Sequence, residues 1–219
     1  MIEVYDFLAG PALWAAFLIS IGGLALRLAY LFGLSRERDR EFYNHAEFSS
    51  AFRSIMHWML PLGSVSLRAQ PLFAVAFFLF HILLLGIPSF LLAHNTLLQE
   101  YFGLSLPALS DFVSDRLTLV FLLSALFLLL RRILRPEVRI LTRARDYVLL
   151  IMTALPFATG FLAYHQVGPY QSMLTCHVLS AEVLLIAIPF SKLGHCILFL
   201  FTRAFIGFEF GHRRGARSW

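Results

Sequence analysis

Cysteine, lysine and charged residues in general are scarce in this chain. Its 2 cysteines are Cys176 and Cys196, and its one lysine is Lys192. The cysteines would lie about five and a half turns apart on one helix, so they cannot form a disulfide with each other. Charged residues make up 14% of the sequence, and no hydrophilic stretch is long enough for a soluble domain. These absences exclude a disulfide-stabilised secreted fold and leave no region typical of a soluble enzyme.

Apolar residues are abundant instead. They make up 59% of the 219 residues, aromatic residues make up 15%, and the mean hydropathy is +0.75. This composition predicts an all-α integral membrane protein that forms one domain over residues 1–219. We expect a bundle of five transmembrane helices, separated by connections of which residues 35–70 form the longest. The predicted spans are residues 7–34, 71–94, 112–130, 147–165 and 173–201.

Arginine is distributed unevenly along the chain. It is concentrated in the 35–70 loop, in the connection from Arg131 to Arg145 and in the tail after Arg203, whereas the other connections have few or no basic residues. The positive-inside rule therefore predicts a periplasmic amino terminus and a cytoplasmic carboxyl terminus. This bias also explains the net charge of +5 without nucleic acid as a partner. The amino terminus lacks the basic region of a signal peptide, so we expect the first apolar run to remain as a helix.

The loop of residues 35–70 mixes aromatic, apolar and charged positions and is too polar to cross a bilayer. We expect it to form an amphipathic helix on the cytoplasmic surface, where a soluble subunit could also bind.

Two histidines occupy the last predicted span. His177 and His195 are 18 residues apart, which is five helical turns. On one straight helix their side chains would share a face and be about 27 Å apart. A bilayer core is about 30 Å thick, so one imidazole would lie near each membrane surface. Polar side chains at such depths are candidates for function, and two on one stripe suggest haem ligation.

A second pair of histidines occupies the second span. Because this span runs antiparallel to the last one, His81 matches the depth of His195, and His94 matches the depth of His177. The sequence therefore predicts two bis-histidine sites, one above the other across the membrane. They would bind two haem groups through iron.

The spacing within the second span is less regular. The interval of thirteen residues between His81 and His94 places their side chains about 140° apart on a straight helix. Pro88 lies between them and can kink or unwind the helix, which would re-aim His94. The alternative outer ligand is His165, at the end of the fourth span.

The sequence around His165 has two interpretations. Tyr164, His165 and Gln166 offer an aromatic surface, a protonatable group and hydrogen-bonding groups, as a quinone head requires. The same residues also fit an ordinary aromatic belt at the membrane interface. Glu182, in the middle of the last span, is expected to be a neutral carboxyl that hydrogen-bonds a neighbouring helix, or else a group that moves protons.

Several stretches together resemble a known family. They are LFHILLLG around His81, RRILRPEVR followed by Thr142 and Asp146, and His177 with PFSKLGH ending at His195 and the pair Thr202–Arg203. They are similar to the membrane cytochrome b (gamma) subunit of respiratory nitrate reductase, over helices 2 to 5. The resemblance implies an inner haem held by His81 and His195, and an outer haem held by His94 and His177. It also implies quinol oxidation, in which menaquinone would be the cofactor, at the outer haem.

Other stretches resemble a branch of that family in more detail. They are IPSFLLAHN, FGLSLPAL, LPFATGFLAYHQ and RPEVRILT. They are similar to the cytochrome b subunit of the transmembrane redox complexes of sulfate-reducing bacteria. The resemblance implies a bacterial cytoplasmic (inner) membrane protein that works with other membrane subunits, a periplasmic multihaem cytochrome c and a cytoplasmic iron–sulfur subunit.

Two other functions compete with electron transfer. The histidines, Glu182 and the kinked helices could line a path for protons or a solute, although no inverted repeat is visible. Alternatively, the chain could be a plain membrane anchor whose histidines hydrogen-bond between helices. Within electron transfer itself, the alternative is a quinol-oxidising membrane anchor of a respiratory reductase.

Overall fold

The protein is described by a computed structural model that is helical almost throughout. The structure describes residues 2–38, 43–44, 47–61 and 63–213, with Ile2, His212 and Arg213 described by their backbone alone. Within these ranges no β-strand occurs, and an isolated bridge joins Leu91 to Leu109. The predicted all-α class is therefore confirmed.

The helices follow one another with short connections. A π-helical segment, Leu8–Ala12, joins the first two helices, and another, Gly207–Arg213, continues the last one. Among the described residues, the α-helices whose two ends are both described are α1 (Ile2–Phe7), α2 (Leu13–Arg38), α3 (Phe48–Met59), α4 (Val65–Arg68), α5 (Pro71–Phe90), α6 (Leu92–Phe102), α7 (Asp111–Leu134), α8 (Pro136–Arg139), α9 (Ala144–Tyr164), α10 (Tyr170–Phe190) and α11 (His195–Ile206).

Six described segments are long and apolar enough to cross a membrane. Only 11% to 28% of each segment's most apolar window is buried inside the protein, so most of its apolar surface faces outward, as lipid contact requires. The chain is a multi-pass membrane protein by these criteria, while the predicted count of five and the orientation stay predictions. The segments are Glu3–Arg38, Pro71–Phe90, Asp111–Leu134, Ala144–Tyr164, Tyr170–Phe190 and Lys192–Gly211.

The chain separates into two compact units. The central unit is Pro71–Ser180, and the terminal unit combines the residues up to Gln70 with those from Ala181 onward. Each unit is described by itself below. The prediction of a single domain over residues 1–219 stays a prediction.

The central unit has an aromatic core between α5, α7 and α9. The Phe121 ring is fully buried and lies 5.0 Å from the ring of Phe80 and 4.0 Å from the ring of Phe157, between ring centroids. Leu83 and Ile87, one and two turns further along α5, continue the same buried stripe. This stripe fixes α5 up to the residue before Pro88.

In the terminal unit, α3 packs against α11 and the π-helical segment after it through small residues. A Cβ added to Gly207 would lie 2.6 Å from the carbonyl oxygen of Ser50 and 2.7 Å from the Cα of Ala51. A Cβ on Gly211 would lie 2.8 Å from the Cβ of Ser50. Two glycines four residues apart therefore let two backbones approach closely, as in membrane helix pairs. The helix predicted within the 35–70 loop is present, although residues 39–42, 45–46 and 62 of that loop lie outside the described residues.

The last predicted span, residues 173–201, is not one helix. Helix α10 ends at Phe190, Ser191 is extended, and a 3-10 turn at Lys192–Gly194 precedes α11. The Ser191 hydroxyl accepts from the Leu193 amide and caps the turn. The prediction that His177 and His195 share the face of one straight helix was therefore wrong.

Arg27 of α2 stabilises this break. Its guanidinium donates hydrogen bonds to the carbonyl oxygens of Pro189 and Ser191, each over 3.1 Å. These oxygens lie at the end of a helix, where intrahelical donors are missing. Hydrogen bonds within the terminal unit therefore stabilise the break.

Candidate functional site

The end of α5 places His94. Helix α5 ends at Phe90 and Leu91 is extended, so the last carbonyl groups of the helix point to new partners. The Nδ1 atom of His94 lies 3.0 Å from the carbonyl oxygen of Pro88. The backbone amide of Leu109 donates to the Phe90 oxygen over 2.8 Å. The unwinding expected near Pro88 is present, and it moves His94 onto the separate helix α6.

The other wall of the site is formed by α9 and α10. The Nδ1 atom of His177 lies 2.7 Å from the carbonyl oxygen of Pro156. Gly160, one turn further along α9, lets the ring approach, because a Cβ there would lie 2.9 Å from the Nδ1 atom. The imidazole of His177 is therefore in direct contact with the α9 backbone.

These two imidazoles lie side by side. The ring centroids of His94 and His177 are 6.0 Å apart, and the ring planes differ by 21°. Both side chains are half-buried. The structure thus brings together the two histidines that the sequence paired by depth.

The hydrogen bonds define which nitrogen of each ring has a lone pair that could bind a metal. A carbonyl oxygen can only accept, so the Nδ1 atoms of His94 and His177 carry the hydrogens. Each neutral ring then has a lone pair on Nε2. Metal-ligating histidines commonly have this arrangement, in which the second ring nitrogen donates to a carbonyl and fixes the ring.

The two histidines predicted for the inner site, His81 and His195, each have an Nδ1 atom near a carbonyl oxygen of their own segment. The Nδ1 atom of His81 lies 2.7 Å from the carbonyl oxygen of Phe77. The Nδ1 atom of His195 lies 2.9 Å from the carbonyl oxygen of Lys192. His81 belongs to the central unit and His195 to the terminal unit, so their pairing stays a prediction.

His165 is engaged differently. Its Nε2 atom lies 2.7 Å from a carboxylate oxygen of Asp115, at the start of α7. Because the nitrogen that would ligate a metal is bound to a carboxylate, this geometry favours His94 over His165 as the partner of His177. Tyr164 and Gln166 are exposed beside His165, and Gln166 has a positive φ of 54°.

Glu182 is buried in the terminal unit. It is 4% exposed, and its Oε1 atom has no hydrogen-bond partner among the described residues. The predicted hydrogen bond to a neighbouring helix is therefore not formed by this atom.

Three residues of the site were not found from the sequence. Gly160 looks like any helix glycine, because its role depends on a ring from α10. Asp115 looks like part of the acidic start of α7. Asn95 follows His94 directly, and only its burial and hydrogen bonds identify it.

A metal site made of protein side chains alone is a separate question. Among the residues described here, no group of three or more His, Cys, Asp or Glu side chains is arranged to hold a metal ion. This finding concerns metal ions held by three or more side chains, and a pair of histidines such as His94 and His177 falls outside it.

Comparison with known proteins identifies a relative of this chain. No family model matches the chain. A protein of Nitratidesulfovibrio vulgaris (strain Hildenborough), whose name states no function, is 44% identical over 219 residues. The alignment covers 98% of this chain and 97% of the relative. The chain belongs to the same family as that protein. The alignment extends over nearly the whole length of both proteins, so it includes the sequence of both compact units of this chain.

Proposed function

We propose that the protein is a membrane cytochrome b that carries electrons across the bacterial cytoplasmic membrane through two haem b groups. The observation that carries the proposal is the pair His94–His177, with near-parallel rings and with both Nδ1 atoms bound to proline carbonyl oxygens. In such a pair, both Nε2 atoms are left to bind iron.

The separation of the rings fits this role. Metal–imidazole bonds are about 2 Å long and each nitrogen lies about 1 Å from its ring centre, so two imidazoles that bind one metal would have centroids no more than about 6 Å apart. The observed separation is 6.0 Å. A direct hydrogen bond between the two rings would place their centroids no more than about 5 Å apart. The spacing therefore supports a ligand pair more than the competing interhelical hydrogen bond of a plain anchor.

The chain's residues have defined parts in this function. His94 and His177 would hold the outer haem, and His81 and His195 the inner one. A bound haem supplies a one-electron couple at its iron. The proline carbonyl groups orient the rings and increase their donation to the metal, while the core around Phe121 excludes water beside α5 and α9.

The partners are part of the proposal. On the predicted cytoplasmic side, Arg139 and Arg143 are exposed, next to Ile140 and Leu141, which are 83% and 81% exposed. Arg131 differs, because its guanidinium lies over the Phe73 ring at 4.1 Å. The exposed arginines suit an acidic surface on a cytoplasmic iron–sulfur subunit. A periplasmic multihaem cytochrome c and other membrane subunits would complete the complex.

A second candidate function is quinol oxidation at the outer site. The observation that favours it is the His165–Asp115 pair, a protonatable ring held by a carboxylate over 2.7 Å. The rings of Phe161 and Tyr164 flank His165, with centroids 4.3 Å and 5.2 Å away. A base oriented by a carboxylate can accept a proton as a quinol, such as menaquinol, gives up electrons.

The deciding experiment is a reduced-minus-oxidised spectrum of the purified protein from haem-sufficient cells, with haem counted against protein. We expect a b-type signal and about two haems per chain. A folded protein without a b-type signal would refute the proposal and leave the transporter and the plain anchor. Transport assays in vesicles would then separate those two.

A further inference from the structure

A buried asparagine lies beside the outer histidine of α6. Asn95 is 5% exposed, and both the oxygen and the nitrogen of its side-chain amide form hydrogen bonds. Its Oδ1 atom accepts a hydrogen bond from the backbone amide of Leu106 over 3.1 Å. Its Nδ2 atom donates to the carbonyl oxygen of Ser89 over 3.4 Å. Asn95 therefore joins the backbone six residues before it to the backbone eleven residues after it.

Both segments are connected, by the chain or by a hydrogen bond, to the end of α5 that contains the Pro88 carbonyl group, and this group orients His94. Ser89 directly follows Pro88, whose carbonyl oxygen accepts the Nδ1 hydrogen of His94. Leu106 belongs to a non-helical strap, residues 103–110, that starts at Gly103 with a positive φ of 66°. The strap is fixed a second time where the Leu109 amide donates to the Phe90 carbonyl oxygen.

We propose that Asn95 is the positioning residue for His94. It holds the end of α5, the start of α6 and the strap in one arrangement, and in that arrangement the Pro88 carbonyl oxygen faces the His94 ring. Without the amide, the Ser89 oxygen and the Leu106 amide lose their side-chain partner, and the backbone rearranges to satisfy them. The inference rests on the proposed function, because it assigns a role toward the outer haem.

The hydrogen bond from Nδ1 to a carbonyl oxygen increases the donor strength of an imidazole ligand. Stronger donation stabilises the oxidised metal. Loss of this hydrogen bond should therefore raise the midpoint potential of the outer haem and change its ligand-field spectrum, while the inner haem keeps both properties.

The test compares Asn95→Leu with the whole wild-type protein in detergent. The matched control is Thr96→Val, because Thr96 follows on the same helix, is exposed and bonds only to Ala93 within its own turn. Asn95→Asp keeps an acceptor for Leu106 but not the donor for Ser89. The readouts are hydrogen exchange in residues 104–109, the electron paramagnetic resonance signal of each haem and a redox titration.

We expect Asn95→Leu to speed exchange at the strap by about tenfold. The outer haem should change its resonance signal and move to a higher potential or be lost. Thr96→Val should change none of these, and Asn95→Asp should lie between. If Asn95→Leu does not accumulate, Leu106→Pro removes the same amide donor from the strap and should have the same effects.

Faster exchange with an unchanged outer haem would overturn the inference and leave the proposed function intact. Unchanged exchange would also overturn it, because Asn95 would then not hold the strap. A wild-type protein without haem would defeat the proposed function and this inference together.

Discussion

Gly160 leaves no room for a methyl group beside the imidazole of His177. A Cβ added at Gly160 would lie 2.9 Å from Nδ1 and 3.1 Å from Cε1 of that ring. The α9 backbone and the ring are therefore in direct contact, and this contact lets Nδ1 reach the carbonyl oxygen of Pro156.

Gly160→Ala should disturb the outer site without breaking α9. Alanine favours a helix by up to about 1 kcal/mol over glycine, but its methyl group would push the His177 ring away from Pro156. We expect a lower content of the outer haem or a changed resonance signal. Gly86→Ala is the control, because a Cβ there meets nothing within 4 Å. Equal haem contents and spectra for Gly160→Ala and Gly86→Ala would show that the contact between the His177 ring and α9 does not affect the outer haem.

Removal of single histidines should separate the two haems. His94→Ala and His177→Ala should each remove the outer haem, and His81→Ala and His195→Ala the inner one, so that about one haem per chain remains. His165→Ala should retain both haems, because its Nε2 atom is bound to Asp115. Haem-to-protein ratios and redox titrations measure the result. Two haems in His177→Ala would contradict the assignment.

Asp115→Asn should lower quinol oxidation if the outer site uses quinol. The amide cannot stabilise a protonated His165 as a carboxylate does, so proton acceptance becomes less favourable. We expect a loss of about tenfold or more in the rate of haem reduction by a menaquinol analogue, with haem content unchanged. Asp111→Asn serves as the control, because Asp111 is exposed at the start of the same helix. Equal rates in both variants would remove the second candidate function.

Charge reversal at Arg139 and Arg143 should release the cytoplasmic partner. These exposed arginines would lose their attraction to an acidic surface, and like charges would repel. Co-purification of the iron–sulfur subunit should fall, and its loss should increase at higher salt, while the haem spectrum stays the same. Arg116→Glu, at the other end of α7, should leave the subunit bound. A complex that remains whole after the double reversal would refute this binding surface.

Gly207→Ala should destabilise the terminal unit. The methyl group would clash with the α3 backbone at Ser50 and Ala51, which cannot move as a flexible side chain would. We expect a cost of about 1–3 kcal/mol and a lower melting temperature in detergent. Gly33→Ala, where a Cβ meets nothing within 4 Å, should melt like the wild type. An unchanged melting temperature in Gly207→Ala would show that the two backbones can separate at no cost.

Much of the helical architecture follows from the sequence, because long apolar runs have few alternatives in a membrane. The end of α5 was also foreseeable, since Pro88 interrupts the run. The break at Ser191 was missed because the apolar run continues through α11. Pro189, the capping hydroxyl of Ser191 and Gly194 were its local signals.

The residues of the candidate site also divide into those that the sequence predicted and those that it did not. Depth and antiparallel order are properties of the sequence, and they predicted that His94 and His177 would be partners. Gly160, Asp115 and Asn95 act through contacts with other helices or with the strap. Such contacts depend on the packing of distant segments, so no local pattern reveals them.

The close packing of Gly207 on Ala51 also constrains the order in which the protein is made. Helix α3 is synthesised long before Gly207, so Ser50 and Ala51 lack their contact with Gly207 until the end of translation. A premature stop codon or a protease cut before Gly207 would remove little of the membrane bundle. It would nevertheless leave α3 packed against α11 alone, without the glycine contacts at Ser50 and Ala51.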